Sequence, residues 1–167
     1  MVTRAARLFS LLLPLLFIGS SALAKPVEFA SRVPYEPLVA KLKASGGSFE
    51  RILRVKAAAD LAPLESGRRY KFVVDTRGQL AIAPLPADAK ANEYVHPILG
   101  GGGPVRTAGG IRVERTGGKI ARVVVDEDSK SYCPTLDSLT EAVRALTAVG
   151  VAASAITRED HPPECAR

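Results

Sequence analysis

The chain has 167 residues, a formal net charge of +6, two cysteines and no tryptophan. That length suits one small domain with one core, not a string of domains. The basic residues are scattered (Lys41, Lys43, Arg51, Arg54, Lys56, Arg68, Arg69) and not interleaved with aromatics, which reads as a solvated face and argues against nucleic acid as a partner.

In chain order, residues 1–24 read as a secretory signal peptide. Arg4 and Arg7 precede an apolar run from Leu8 to Gly19, and small residues lead to Ala24. This is a positive start, a short apolar core and a small-residue cut. The run is roughly 12 residues, against about 20 for a membrane span, so no permanent membrane anchor is expected. Cleavage after Ala24 leaves residues 25–167 and removes two positive charges. The destination is periplasmic or extracellular.

Residues 25–68 read as an extended and helical lead-in to an α+β domain at 69–167. Leu38, Val39 and Leu42 share a helical face over 36–44, ended by Gly46 and Gly47. The segment 48–60 fits a helix or a strand. Tyr70, Phe72 and Val74 alternate along a strand, Thr76-Arg77-Gly78 turns the chain, and Leu80 and Ile82 begin the return. A loop is expected over about 84–95. Ile111 and Val113 lead a second hairpin, turned at Thr116-Gly117-Gly118 and continued by Ile120, Val123, Val124 and Val125. Asp126, Glu127 and Asp128 are expected to end it in water. Leu136, Leu139, Val143 and Leu146 form one stripe of a helix over 135–149, stopped by Gly150. Val151–Thr157 completes the pattern as a last strand, and the tail from Asp160 reads as polar and solvated. The fold predicted is a small antiparallel sheet of β-hairpins with the C-terminal helix packed on it.

An even pair of cysteines in an oxidising compartment predicts a disulfide between Cys133 and Cys165. Fifteen helical residues rise about 22 Å, and a strand of seven or eight residues retraces that distance, which returns Cys165 to the helix start. Neither CxxC nor HxxxH spacing is present, so no metal is expected. The acidic run 126–128 lacks the ligand spacing of a calcium loop. Gly100–Gly103 precedes Pro104 and a strand, not a helix with Lys-Ser/Thr, so it reads as a tight turn and not a phosphate loop. No cofactor is implied. Candidate catalytic residues are His96, Ser129 and Tyr132; candidate binding residues are Gly101, Gly102 and Arg106.

Several of these residues together resemble a known domain. They are Tyr70-Lys71-Phe72-Val73-Val74-Asp75, His96 with Leu99, Gly101, Gly102, Pro104 and Val105, then Ala108-Gly109, Gly118-Lys119-Ile120, and Ser129-Lys130-Ser131-Tyr132-Cys133-Pro134 before the helix. The order and spacing resemble the C-terminal domain of plant calmodulin-binding IQ-motif proteins and its fungal and bacterial relatives, over about 70–158. Where that domain has two serines after its histidine, this chain has Pro97 and Ile98. In place of the Gly-His of its Ser-Gly-His-Tyr-x-Pro signature stand Lys130 and Ser131. No IQ segment is present, so calmodulin is not implied. If two signature histidines served as acid and base, only His96 is kept, and a two-histidine mechanism is lost.

Two function classes follow: a non-catalytic exported domain binding an envelope or extracellular partner, or an enzyme or toxin-like effector using a pocket around His96 and Tyr132. The export reading predicts that the full chain, expressed in a secreting host, is recovered outside the cytoplasm. Its intact mass should correspond to a chain beginning at Lys25 with one disulfide. Cytoplasmic retention with residues 1–24 attached would refute it.

Overall fold

The computed structural model describes residues 26–83 and 94–165. The signal segment 1–24 and most of the 84–95 loop lie outside them. The described residues form an α+β fold around one six-stranded sheet. The strands are β1 (Leu53–Val55), β2 (Arg69–Asp75), β3 (Leu80–Ile82), β4 (Val105–Thr116), β5 (Lys119–Val125) and β6 (Ile156–Arg158). The helices are α1 (Tyr35–Ala44), α2 (His96–Leu99) and α3 (Leu139–Ala148).

The strand order is β1-β3-β2-β4-β5-β6. Both predicted hairpins are present: β2 pairs β3 around Asp75–Gly78, and β4 pairs β5 around Gly117–Gly118. Two strands are added at the edges. The helix-or-strand ambiguity over 48–60 resolves as β1, which pairs β3 antiparallel. Tight 3-10 turns at Phe49–Arg51 and Ala58–Leu61 flank it. At the other edge β6 runs parallel to β5, so the sheet is mixed and not wholly antiparallel. The cause is the intervening α3: a helix between two strands returns the chain to the same end of the sheet, which is the parallel arrangement.

Both faces of the sheet are covered. Tyr70, Phe72, Val74, Ile111, Val113, Val123 and Val125 pack with Leu139, Ala142, Ala145 and Leu146 of α3. Val73, Ala81, Val105 and Ala108 pack on the other side with Leu42 of α1, Ile98 and Leu99 of α2, and Tyr132. Alternation along each strand divides its side chains between these two cores. The predicted stripe of α3 is shifted. Leu139 and Leu146 are buried as expected, but Leu136 lies in a 3-10 turn and is exposed, while Ala142 and Ala145 are buried. The helix proper starts three residues later than a Leu136 origin implies, which rotates its inner face.

The largest departure from expectation is at Asp126–Asp128, which does not end in water. Asp126 and Glu127 are buried. This segment crosses β4 at Gly109, where an added Cβ would overlap the Asp126 carbonyl oxygen. At Gly110 an added Cβ would overlap the Arg69 guanidinium. The Asp126 carboxylate secures the crossing. Arg69 donates to it through Nε (2.9 Å) and Nη2 (2.7 Å), and the backbone N–H groups of Gly110 and Asp128 donate at 2.8 and 3.0 Å. Burial pushes the Asp126 carboxyl up, and these donors more than offset it, holding the group below the usual carboxylate range. The tail is also docked, not free: Glu159 N–H donates to Val125 O, and His161 N–H to Glu127 Oε1.

The disulfide Cys133–Cys165 is present, closing 32 residues at the start of the helical segment. On the chain-entropy account such a loop stabilises the fold by roughly 3–4 kcal/mol.

Because Gly109 is fixed by a backbone crossing, Gly109→Ala should destabilise the domain by about 3 kcal/mol or more. Gly103→Ala, whose new Cβ would meet only the Gly100 carbonyl at 3.8 Å, should change stability by less than about 1 kcal/mol. Urea unfolding of the two variants checks the contrast.

Candidate functional site

The predicted catalytic residues are brought together, and they are closed off. His96 begins α2, is 8 % exposed and sits 3.0 Å from Gly109 O through Nε2. A carbonyl only accepts, so Nε2 carries the proton. Burial drives the His96 pKa down to about 4, with the Gly109 hydrogen bond opposing it in part. Tyr132 is 2 % exposed and its hydroxyl donates to Gly103 O at 3.0 Å. Burial, aided by Tyr35, pushes its phenol up to about 12. Ser129 is buried. Its carbonyl accepts from the N–H groups of Tyr132 and Cys133 at 3.3 and 2.7 Å, and its Oγ is sealed from solvent without a hydrogen-bond partner.

The Gly100–Gly103 turn joins these residues. Gly100 N–H donates to His96 O at 3.0 Å, and a Cβ at Gly100 would lie 2.7 Å from the Tyr132 hydroxyl. Gly101 and Gly102 have φ of +65° and +77°, and a side chain at Gly102 would strike the Tyr35 ring. The turn therefore takes glycine for backbone shape and for close packing. No open cleft containing His96, Ser129 and Tyr132 is found among the described residues. A nucleophile or acid–base pair there would have no water and no substrate.

Arg106 lies elsewhere, in a pocket of about 310 Å³ between β4 and the start of α3. Arg106, Thr135, Asp137, Ser138 and Glu141 form its polar wall, and Val27 and Phe29 its apolar one. Phe29 is held there by paired backbone hydrogen bonds with Val105, at 2.7 and 3.0 Å. Val27 is 69 % exposed at the rim. Arg106 donates to Glu141 Oε2 at 3.2 Å and to Thr76 O at 2.7 Å, while its Nε is sealed without a partner. Glu141 also pairs with Arg144. Ser138 Oγ lies 2.6 Å from Thr135 O and 2.9 Å from Thr107 Oγ1.

Of the candidates named from sequence, only Arg106 lines this pocket. Glu141, Ser138, Asp137 and Thr135 were read simply as the opening of a helix. The signal that pointed to them was the acid at Glu141, which sits beside the apolar stripe where a solvated face is not available. No cluster of residues able to hold a metal ion is present among the described residues, and no described helix is long and apolar enough to cross a membrane.

Comparison with family models, with curated proteins and with solved structures returned no match to this chain.

A buried neutral histidine gives the fold a specific pH response. The unfolded chain binds the His96 proton near pH 6.5 and the folded chain near 4. Stability is therefore full above about 6.5 and falls as pH drops through that window, by about 3 kcal/mol at its lower end. Glu127, raised by burial and by neighbouring Asp160, works with the opposite sign: its contribution is present at low pH and is lost as pH rises through its folded pKa. Comparison with His96→Gln, which keeps a donor for Gly109 O, isolates the histidine. The variant should have a flatter stability profile between pH 6.5 and 4; equal slopes would refute the assignment.

Proposed function

We propose that this chain is an exported, non-catalytic binding domain that takes a small ligand at the Arg106 pocket and works in the cell envelope or outside the cell. One observation carries the reading: the division between two groups of polar residues. Those around His96 and Tyr132 are buried and committed to holding the backbone. Those around Arg106 line an open cavity and join β4 to α3. The disulfide suits an oxidising compartment. The cavity is at the small end of the range for ligand sites and combines an apolar wall with a few convergent polar groups.

The same reading takes the chain as a degenerate relative of the C-terminal domain of the plant calmodulin-binding IQ-motif proteins. What supports this is that His96, Gly101, Gly102, Gly109, Ser129 and Tyr132, which carry the likeness, meet at one structural junction. In this reading they persist as framework and not as chemistry.

Screening small organic fragments against the ¹⁵N-labelled mature chain tests the proposal. Amide shifts should cluster on Phe29, Arg106, Ser138 and Glu141. Shifts confined to 96–103 and 129–132 would favour the enzyme or effector alternative, and the absence of any binder at the pocket would refute the binding role assigned to it.

A further inference from the structure

The hydrogen-bonding capacity left in the Arg106 pocket is one-sided. Arg106 has its Nη1 on Glu141, its Nη2 on Thr76 O, and its Nε sealed from the cavity. Ser138 has one hydroxyl proton, and at 2.6 Å that proton goes to the Thr135 carbonyl. The 2.9 Å contact with Thr107 is then a donation from Thr107. Ser138 therefore offers the cavity only an acceptor lone pair. Glu141 accepts from Arg106 and from Arg144. Asp137 is exposed on the cavity wall, and its carboxylate has no hydrogen bond or ion pair among the described residues. The charged lining groups are one cation, Arg106, and two anions, Glu141 and Asp137; Arg144 stands in solvent outside the lining. Committed donors, free acceptors and an excess negative charge all select a ligand that donates.

We propose that the pocket binds a small organic ammonium, a protonated primary amine on a short apolar body. The ammonium faces the Asp137 carboxylate and the Ser138 hydroxyl, and the body lies against Phe29 and Val27. A cavity of about 310 Å³ holds a ring with a short chain. This proposal rests on the binding reading given above and names the ligand class for it.

Three probes of matched shape separate the possibilities: phenethylamine, 3-phenylpropionate and 2-phenylethanol, titrated into the oxidised mature chain and followed by amide shifts. Phenethylamine should bind at the pocket more tightly than the other two. Asp137→Asn should weaken it about fivefold, the scale of one solvent-facing ion pair, and leave 2-phenylethanol unchanged. Added salt should weaken the amine alone. Preference for 3-phenylpropionate, or an amine affinity indifferent to Asp137→Asn, would overturn the ligand class while leaving the pocket a binding site. If none of the three shifts the pocket residues, both the ligand class and the binding reading fall.

Discussion

The crossing of residues 126–128 over Gly109 is the constraint on which the rest of the structure depends. It places one backbone directly on another, which is possible only where a strand lacks a side chain. The Asp126 carboxylate then gathers four donated hydrogen bonds from three places: the Arg69 guanidinium, Gly110 and Asp128. Removing that carboxylate would strand those donors in a partly buried position, which costs more than the net value of the bonds themselves. The Gly109 carbonyl is engaged by His96 in turn. A single peptide thus ties β4 to α2 and lies beneath the loop that leads to the disulfide.

From that junction the chain is directed to its remaining positions. Loop 126–133 is held by Ser129 O, which receives two N–H groups, and by Tyr132, whose hydroxyl clasps the Gly103 carbonyl. The loop delivers Cys133 and then α3, whose apolar stripe closes one core while α1 and α2 close the other. The pocket lies where α3 begins, so its polar wall inherits the rigidity of the crossing without sharing its chemistry. This separates a residue's prominence in the sequence from its part in any reaction: His96 and Tyr132 serve geometry, and Arg106 and Asp137 face solvent.

Much of the fold was legible in the sequence because the decisive patterns are local. Tyr70-x-Phe72-x-Val74 and Ile111-x-Val113 declare strands by alternation, and two glycine-bearing turns declare their hairpins. Cysteine parity and the helix-then-strand length argument gave the disulfide. The failures share one cause. Asp126 and Glu127 look like solvated turn residues, and only the distant Arg69 makes burial of Asp126 tolerable. Ala108-Gly109-Gly110 looks like a break before a strand, yet it lies within β4, because the need for glycine there is set by a segment 17 residues further on. Leu53–Val55 is too short to declare itself against a helix until β3 offers an edge to pair with. The pocket was the least legible part, since its walls come from three separated stretches and only Arg106 had been singled out.

The bridge between Phe29 and Val105 joins positions far apart in the chain, yet it is one isolated pair at the margin of the sheet. Closing so long a loop is entropically costly, and a single pair with an exposed neighbour at Val27 has little cooperative support. The apolar wall of the pocket therefore belongs to the weakest cooperative unit of the domain. It can detach and re-dock while the crossing at Gly109 and both cores stay intact. Entry and exit at the pocket then require no motion of the sheet, and the residence time of a bound molecule is set by how often a short strand end lets go.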